Sequence, residues 1–314
     1  MEDKRPLVSI CIPTYNRAEL LTHSLEAYIG SDAFDEDVEI VISDNCSTDN
    51  TQSVGEKYAS KYPNIKYFRN KENIRDANFS LALDRGTGHY LKLMNDNFFT
   101  VGDGLAYLKN CVSQHKEDRT PLLFTNGILF NSPKVDSLMC NSFDEFIIHT
   151  TYCITSIYFF GCWREMWSEV VERDKYSKLQ LSQDDWLYQI VERYHSILLC
   201  SQKYCTAVRP KKYSGYNWFE IHVDNYYKIL QPYVDKGVVT AKALSKERIT
   251  YLKGLRPWIL MTYIYKFDSS FQFDTSNASS ILWKYYKKEP RFYWLMVTLP
   301  FWGIWKAINK KMKK

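Results

Sequence analysis

The chain has no CxxC pair and no Cys/His spacing that suits structural zinc, although cysteines stand at positions 11, 46, 111, 140, 153, 162, 200 and 205. Reduced thiols in a cytosolic protein are therefore expected, several of them in apolar, core-type runs. There is no GxGxxG and no GxxxxGK(S/T), which argues against a Rossmann dinucleotide site and a P-loop; Gly86-Thr-Gly88 is too short for either. No internal repeat and no low-complexity linker interrupts the chain. The opening MEDKRPLVSI lacks an apolar secretory core, so export is not expected.

Acid is scarce at one end. From Lys284 to Lys314 there are nine Lys or Arg and a single acid, Glu289. That stretch carries +8 of a net +5, which leaves −3 on the rest, so the basicity belongs to a tail. Within it, Phe292–Trp305 is apolar for only 14 residues, too short to span a bilayer. Three tryptophans with a basic rim, including Lys310–Lys314, suit an anionic headgroup interface. A helix packed on the body with a solvated basic end is the alternative. RNA is a third, but no nucleic-acid motif accompanies the charge.

The 314 residues are 45% hydrophobic, enough for one large domain or a catalytic domain with a helical appendage. At 16% aromatic, most rings are expected in packing, with some free to line carbohydrate or membrane surfaces.

The first hundred residues alternate between strand and helix. Strands are expected at Leu7–Ile12, Val38–Ser43, Ile65–Phe68 and Tyr90–Met94. Helices should start after Asn16, with Glu19 completing a capping box, and after Thr48 or Asp49. Asn78–Leu83 suits a third. Continuous apolar strands separated by helices imply a mainly parallel sheet, and such sheets bind ligands beyond the strands' carboxyl ends. The polar clusters Pro13–Arg17, Asp44–Asp49, Asn73–Asp76 and Asn95–Asn97 all fall there. Four clusters on one rim mark it as the site. Further on, Leu105–His115 and Asp185–Tyr194 read as helices; Pro121–Phe130, Thr151–Phe160 and Ser196–Val208 read as strands. Two helices are expected from Ile221 to Phe267, interrupted at Pro232 and Pro257.

Three stretches then carry a resemblance: Val8-Ser-Ile-Cys-Ile-Pro-Thr-Tyr-Asn-Arg17, Glu39-Ile-Val-Ile-Ser-Asp-Asn-Cys-Ser-Thr-Asp49 and Tyr90-Leu-Lys-Leu-Met-Asn-Asp-Asn97. In that order they resemble family 2 glycosyltransferases of the GT-A fold, of the bacterial surface-polysaccharide type. The resemblance implies a mainly parallel α/β sheet sandwiched by helices, a nucleotide-sugar donor, a divalent cation (Mn²⁺ or Mg²⁺) and inversion at the anomeric carbon. The catalytic domain would cover 1–215, with a nucleotide-sugar half to residue 100 and an acceptor half beyond it. A helical extension, 216–280, and the interfacial tail, 281–314, would follow.

The resemblance gives residues their roles. Thr14 and Tyr15 would hold base and ribose, Tyr15 stacking on a pyrimidine. Pro13, Arg17 and Asn45 accompany them. Asp44 would accept from base or ribose, or else simply cap its loop. Arg75 or Asp76 would touch the nucleotide, unless Arg75 is a surface charge. Asp96 would bind the cation and Asn95 the ribose or a metal-bound water. One carboxylate suffices for Mg²⁺, which keeps waters and shares phosphate oxygens. Leu181-Ser-Gln-Asp-Asp-Trp186 resembles the motif of the catalytic base: Asp185 would be the base, Asp184 the preceding acid and Trp186 the floor of the acceptor sugar. Either acid can instead be a plain helix cap. Tyr216, Asn217 and Trp218, in the loop that starts at Lys211, would bind acceptor. His222 would be a second metal ligand, or an ordinary core or surface histidine; His195 is read as structural. No QxxRW stretch appears, so a single transfer is expected. The acceptor would be lipid-linked or a surface glycan, at the cytoplasmic face of the membrane. Nucleic acid is not an expected partner. The other readings are a sugar-1-phosphate nucleotidyltransferase, whose Gly- and Arg-rich loop is missing at Pro13–Arg17, and an inactive membrane-associated glycan-binding protein.

Overall fold

The computed structural model describes residues 5–208, 213–265 and 271–312. Residues 1–4 of the opening segment, Lys211 and Lys212 of the acceptor loop, and Lys313 and Lys314 of the tail lie outside the described residues. The first half runs β1 (Val8–Thr14), α1 (Ala18–Ile29), β2 (Val38–Asp44), α2 (Thr51–Lys61), β3 (Ile65–Arg69), α3 (Ala77–Arg85) and β4 (Tyr90–Leu93). Next come β5 (Phe98–Thr100), α4 (Gly104–Gln114), β6 (Leu122–Phe124), β7 (Ser137–Cys140), α5 (Phe143–Thr150), β8 (Gly161–Trp163), α6 (Arg164–Glu169) and α7 (Ser182–Tyr194). After β9 (Ile197–Cys200), β10 (Cys205–Ala207) and β11 (Tyr213–Asn217) stand α8 (Tyr226–Asp235), α9 (Ala241–Leu260), β12 (Phe271–Asp274), α10 (Ala278–Tyr286) and α11 (Pro290–Met312).

The main sheet has the order β3-β2-β1-β4-β8, parallel except for β8. Every residue of β1, β2 and β4 is buried, as continuous Val/Ile/Leu runs covered on both faces must be. Helix α1 contributes Leu21, Leu25 and Tyr28 to the core, the expected one-face repeat. A polar residue inside this core needs partners. Glu39 of β2 accepts from Ser9 Oγ (2.5 Å), Thr87 N (2.7 Å) and Thr87 Oγ1 (2.8 Å). Gly88 packs so closely that a Cβ there would lie 2.8 Å from Ser9 N. The Gly86–Gly88 pair therefore serves sheet packing. All eight cysteines are free thiols.

Several expectations change. Asn16 is not an N-cap: Arg17 holds that position, with no side-chain cap bond, and Asn16 stands at φ 53°. Its Oδ1 is drawn across to Thr48 N (2.7 Å), which joins the β1 and β2 loops instead. Thr151–Phe160 is not a strand but two 3₁₀ turns, Thr151–Thr155 and Ile157–Phe159. Lys92, fully buried in β4, donates to the carbonyls of Tyr158 and Phe160, and Phe160 O also accepts from Leu93 N (3.1 Å), so this stretch meets β4 only at its end. Pro121–Phe130 shortens to β6, and Ser196–Val208 divides into β9 and β10. Pro232 and Pro257 lie inside α8 and α9 rather than between helices. Buried Ile229, Leu230 and Tyr233 around the first, and Leu255 and Ile259 around the second, hold the helical path against the ~3 kcal/mol proline penalty.

Helix α4 starts against the backbone of the β9–β10 connection. A Cβ on Gly104 would sit 2.0 Å from the Tyr204 carbonyl oxygen. Backbone cannot swing aside as a side chain can, so Gly104→Ala is expected to destabilise the protein by about 1–3 kcal/mol in urea unfolding. An unchanged urea midpoint would contradict this packing.

Candidate functional site

Strand β1 lies between β2 and β4, so the carboxyl ends of all three are adjacent. A cavity of about 480 Å³ opens there. Pro13, Thr14, Tyr15, Arg17, Asn45, Arg75, Asp76, Asn95 and Asp96 line it, nine of the ten nucleotide-sugar candidates. The loops are stitched together from below. Asn45 N donates to Thr14 O (2.9 Å), and Asn16 N to Ser47 Oγ (2.9 Å). The Asn45 amide donates to Asn73 Oδ1 (2.8 Å) and Arg75 O (3.2 Å), fixing the loop that carries Arg75 and Asp76.

Asp44 is the exception. It is fully buried behind the cavity. Its Oδ1 accepts from Ser47 N (2.9 Å) and Ser47 Oγ (2.5 Å), and its Oδ2 from Tyr67 OH (2.6 Å). Both oxygens brace the turn, the second of the two readings the sequence offered for Asp44.

Asp96 is buried, yet it faces the cavity. Thr14 Oγ1 donates to its Oδ2 at 2.9 Å, and Arg17 Nη1 stands 3.6 Å from its Oδ1. Burial raises its pKa to about 6, against the opposing pull of Arg17 and Thr14. Asp76 lines the same cavity, and burial likewise raises it to about 6. Two carboxylates short of solvation thus face one space, which favours ligands that bring positive charge or hydroxyl donors.

The two acids of α7 point in different directions. Asp185 does not join this cavity. It lines a second one of about 460 Å³ with Glu172, Lys175, Glu192, Arg193 and Lys236. Tyr233 OH (2.9 Å) and Gln189 Nε2 (2.8 Å) occupy its oxygens. Asp184 shares the buried face of α7 with Leu187, Tyr188 and Val191, the i, i+3, i+4, i+7 stripe. Neither of its oxygens has a hydrogen-bond partner, nor has the neighbouring Ser182 Oγ. Burial first, and the charge of Asp185 second, push its pKa well above the carboxylate range. Next to it, Gln183 Nε2 donates to Thr155 O (3.0 Å), while Asp184 itself lines neither cavity.

A family model described as Glycosyl transferase family 2 matches residues 9–100. That match covers the donor-side strands β1 to β5 and their loops. An abequosyltransferase of Salmonella typhimurium, RfbV, is 37% identical over 105 residues, covering 33% of this chain and 32% of its own length. A GalNAc(5)-diNAcBac-PP-undecaprenol beta-1,3-glucosyltransferase of Campylobacter jejuni is 31% identical over 105 residues, 33% of each protein. The matched stretch thus spans about a third of these relatives. Among solved structures, Staphylococcus aureus TarS 1–349 in complex with UDP superposes with a TM-score of 0.52 at 17% identity, over 82% of this chain and 72% of that one. The mannosyltransferase PcManGT of Pyrobaculum calidifontis, in complex with GDP-Man and Mn²⁺, does so with 0.51 at 15%, over 97% and 88%. The fold is the GT-A fold of glycosyltransferases.

Of the two metal-site candidates, Asp96 lines the cavity and His222 does not. Its Nδ1 lies 3.1 Å from Thr155 Oγ1, and its ring packs 4.9 Å from Trp218. The ring is partly buried, and burial lowers its pKa to about 4. Among the described residues no three His, Cys, Asp or Glu gather to hold a metal. The donor set therefore fits a cation that Asp96 shares with diphosphate and water, not a protein cage.

The aromatic acceptor candidates are also more structural than expected. Trp186 is buried, donates Nε1–H to Arg173 O (2.8 Å) and packs edge-on to Trp167 and Phe160. Trp218 stacks on Trp258 at 4.1 Å. Asn217 Oδ1 accepts from Glu220 N (3.0 Å), starting the π-helical segment Glu220–Asn225. Tyr216 lies partly exposed beside Phe273 (5.0 Å). Conversely, Asn73, Asn78, Phe79, Ile157 and Gln180 line the cavity without having been singled out. Asn73 sat in a polar cluster already noted. Ile157 and Gln180 come from distant turns and carry no local signal.

Proposed function

We propose that this chain is an inverting glycosyltransferase that moves one sugar from a nucleotide-diphosphate sugar, a UDP-sugar, to a lipid-linked or surface-glycan hydroxyl. The observation that carries this reading is the convergence of three strand ends on one cavity with Asp96 in its wall. Tyr15, 42% exposed at the rim, offers its ring to a pyrimidine. Asn95 and Asp76 face the space for ribose and sugar hydroxyls. Asp96 would hold a divalent cation, Mn²⁺ or Mg²⁺; when bound, it neutralises charge on the departing diphosphate. The polyprenol-diphosphate glycan in the Campylobacter relative's name supports the lipid-linked acceptor.

The acceptor oxygen attacks the anomeric carbon as the bond to the diphosphate oxygen breaks. The diphosphate leaves with the electron pair. A carboxylate takes the acceptor's proton. This proposal gives the role to Asp184 rather than Asp185, because both Asp184 oxygens are without a hydrogen-bond partner while Tyr233 and Gln189 hold those of Asp185. The test is to supply the full chain with UDP-sugars, Mn²⁺ and polyprenol-diphosphate glycans. Release of UDP only with acceptor present is expected. Pyrophosphate release from UTP when a sugar 1-phosphate is supplied, or no release in either assay, would overturn the reading.

The division into a catalytic domain, a helical extension and a tail is retained in this proposal, with the tail as its membrane contact. No helix among the described residues is long and apolar enough to cross a membrane. Helix α11 buries Phe292, Leu295 and Leu299, while Trp294 (63%), Val297 (68%), Phe301 (69%) and Ile304 (59%) form an exposed stripe. An apolar stripe on a helix in a +8 segment fits an anionic bilayer surface at the cytoplasmic face. Replacing Trp294 and Phe301 together by Ala should weaken co-sedimentation with phosphatidylglycerol-containing vesicles by about 10²-fold. Equal binding by the double variant would contradict an interfacial tail.

A further inference from the structure

We propose that Arg17 is the resting counter-ion of Asp96 and is handed to the donor diphosphate when a divalent cation takes its place. This rests on the reading of Asp96 as the cation's carboxylate.

The starting point is a mismatch between a firm backbone and a loosely held side chain. Arg17 N donates to Thr51 Oγ1 (3.0 Å), Thr51 Oγ1 donates to Asp49 Oδ1 (2.5 Å), and Arg17 O accepts from Leu21 N (2.9 Å) as α1 begins. The main chain at this position is therefore clamped from both sides. The guanidinium is not. It meets Asp96 by one nitrogen at 3.6 Å, and its side chain is 42% exposed against 9% for Asp96. A half-exposed, single-point ion pair at that distance is weak and readily exchanged. Without it, a buried carboxylate would face the cavity with Thr14 alone.

Both groups line the space assigned to the diphosphate. The Asp96 oxygen that Arg17 faces accepts no hydrogen bond from another described residue, whereas Thr14 donates to the other, so the first is the readier one for a divalent cation. Arg17 and the cation therefore compete for one oxygen. A phosphate oxygen offers the guanidinium a better partner, since its planar fork matches phosphate in two-point bonds. Arg17 thus opposes the cation while the cavity is empty and supports the nucleotide once it enters. Because coupling is reciprocal, nucleotide tightens the cation by drawing Arg17 away, and the cation frees Arg17 for nucleotide. Arg17 is a positioning residue that makes the two bind together.

The test uses the full chain and two probes, Mn²⁺ alone and UDP alone. Free Mn²⁺ is counted by electron paramagnetic resonance, and UDP binding is measured calorimetrically, in wild type, Arg17→Met and Arg17→Lys of matched Tm. Couplings of this kind are worth about 5–150-fold. Arg17→Met is expected to bind Mn²⁺ about tenfold tighter without nucleotide, and UDP about tenfold weaker without metal. Arg17→Lys should fall between. The opposite signs separate this role from a structural one, which would weaken both. Unchanged or weaker Mn²⁺ binding by Arg17→Met, while Asp96→Asn abolishes that binding, overturns the counter-ion role alone. Mn²⁺ binding that survives Asp96→Asn overturns the cation reading, and this proposal with it.

Discussion

Asp96→Asn is expected to lower sugar transfer by about 10³-fold while leaving the protein folded. The amide keeps the volume and the acceptor for Thr14 Oγ1, which lies 2.9 Å from the carboxylate. What it loses is the charge that would share a cation with the diphosphate. Electrostatic stabilisation of a leaving group commonly accounts for losses of about 10²–10³-fold when one element is removed, and here the cation would leave with it. Stability separates this from simple misfolding. The folded pKa of Asp96 is raised to about 6 from an ordinary 3.8. A carboxyl raised in this way stabilises the fold while protonated and loses that contribution as pH rises from about 3.8 through 6. At pH 7 the charged, buried Asp96 therefore costs stability, and the neutral Asn should show an equal or higher Tm. Wild-type kcat in Asp96→Asn would remove Asp96 from the chemistry.

How much of this was legible beforehand depended on the range of the forces involved. The strands β1, β2 and β4 were readable because burial on both faces demands unbroken apolar text, and Val8–Ile12 and Val38–Ile42 supply it. Their polar ends were readable for the same reason, since a buried sheet can place Thr14, Asn45 and Asp96 only where the apolar run stops. Orientation was not readable. Asp44 and Asn45 are adjacent, yet Tyr67 and Ser47 claim the first while the second faces the cavity. Lys92 looked like any lysine on a strand, and only the fold reveals that its buried amine holds the carbonyls of Tyr158 and Phe160. His222 packs against Trp218, which stacks on Trp258, a contact between residues 40 positions apart in the sequence.

The pair Asp184–Asp185 is where sequence and structure diverge most usefully. Adjacent residues at a helix start differ by about 100° in direction, so only one can face a given cavity. Asp184→Asn should reduce kcat by about 10²–10⁴-fold, the usual worth of a positioned base, and Asp185→Asn only a few-fold. The pH dependence gives a second check. A base works deprotonated, and burial holds Asp184 well above the carboxylate range. Wild-type kcat should then fall as pH drops through that raised pKa, well above the pH 4 region where an exposed carboxylate would protonate. Stability should move the other way. Protonated Asp184 stabilises the fold at low pH and ceases to as pH rises, so Asp184→Asn should gain stability relative to wild type with increasing pH. Asp185 is held by Tyr233 and Gln189, and Asn keeps only one acceptor oxygen, so its replacement loses one hydrogen bond, worth roughly 0.5–1.5 kcal/mol when neutral and more to a charged acceptor. A large kcat loss in Asp185→Asn with little in Asp184→Asn would return the base to the residue that opens onto the second cavity, and would require α7 to turn before transfer.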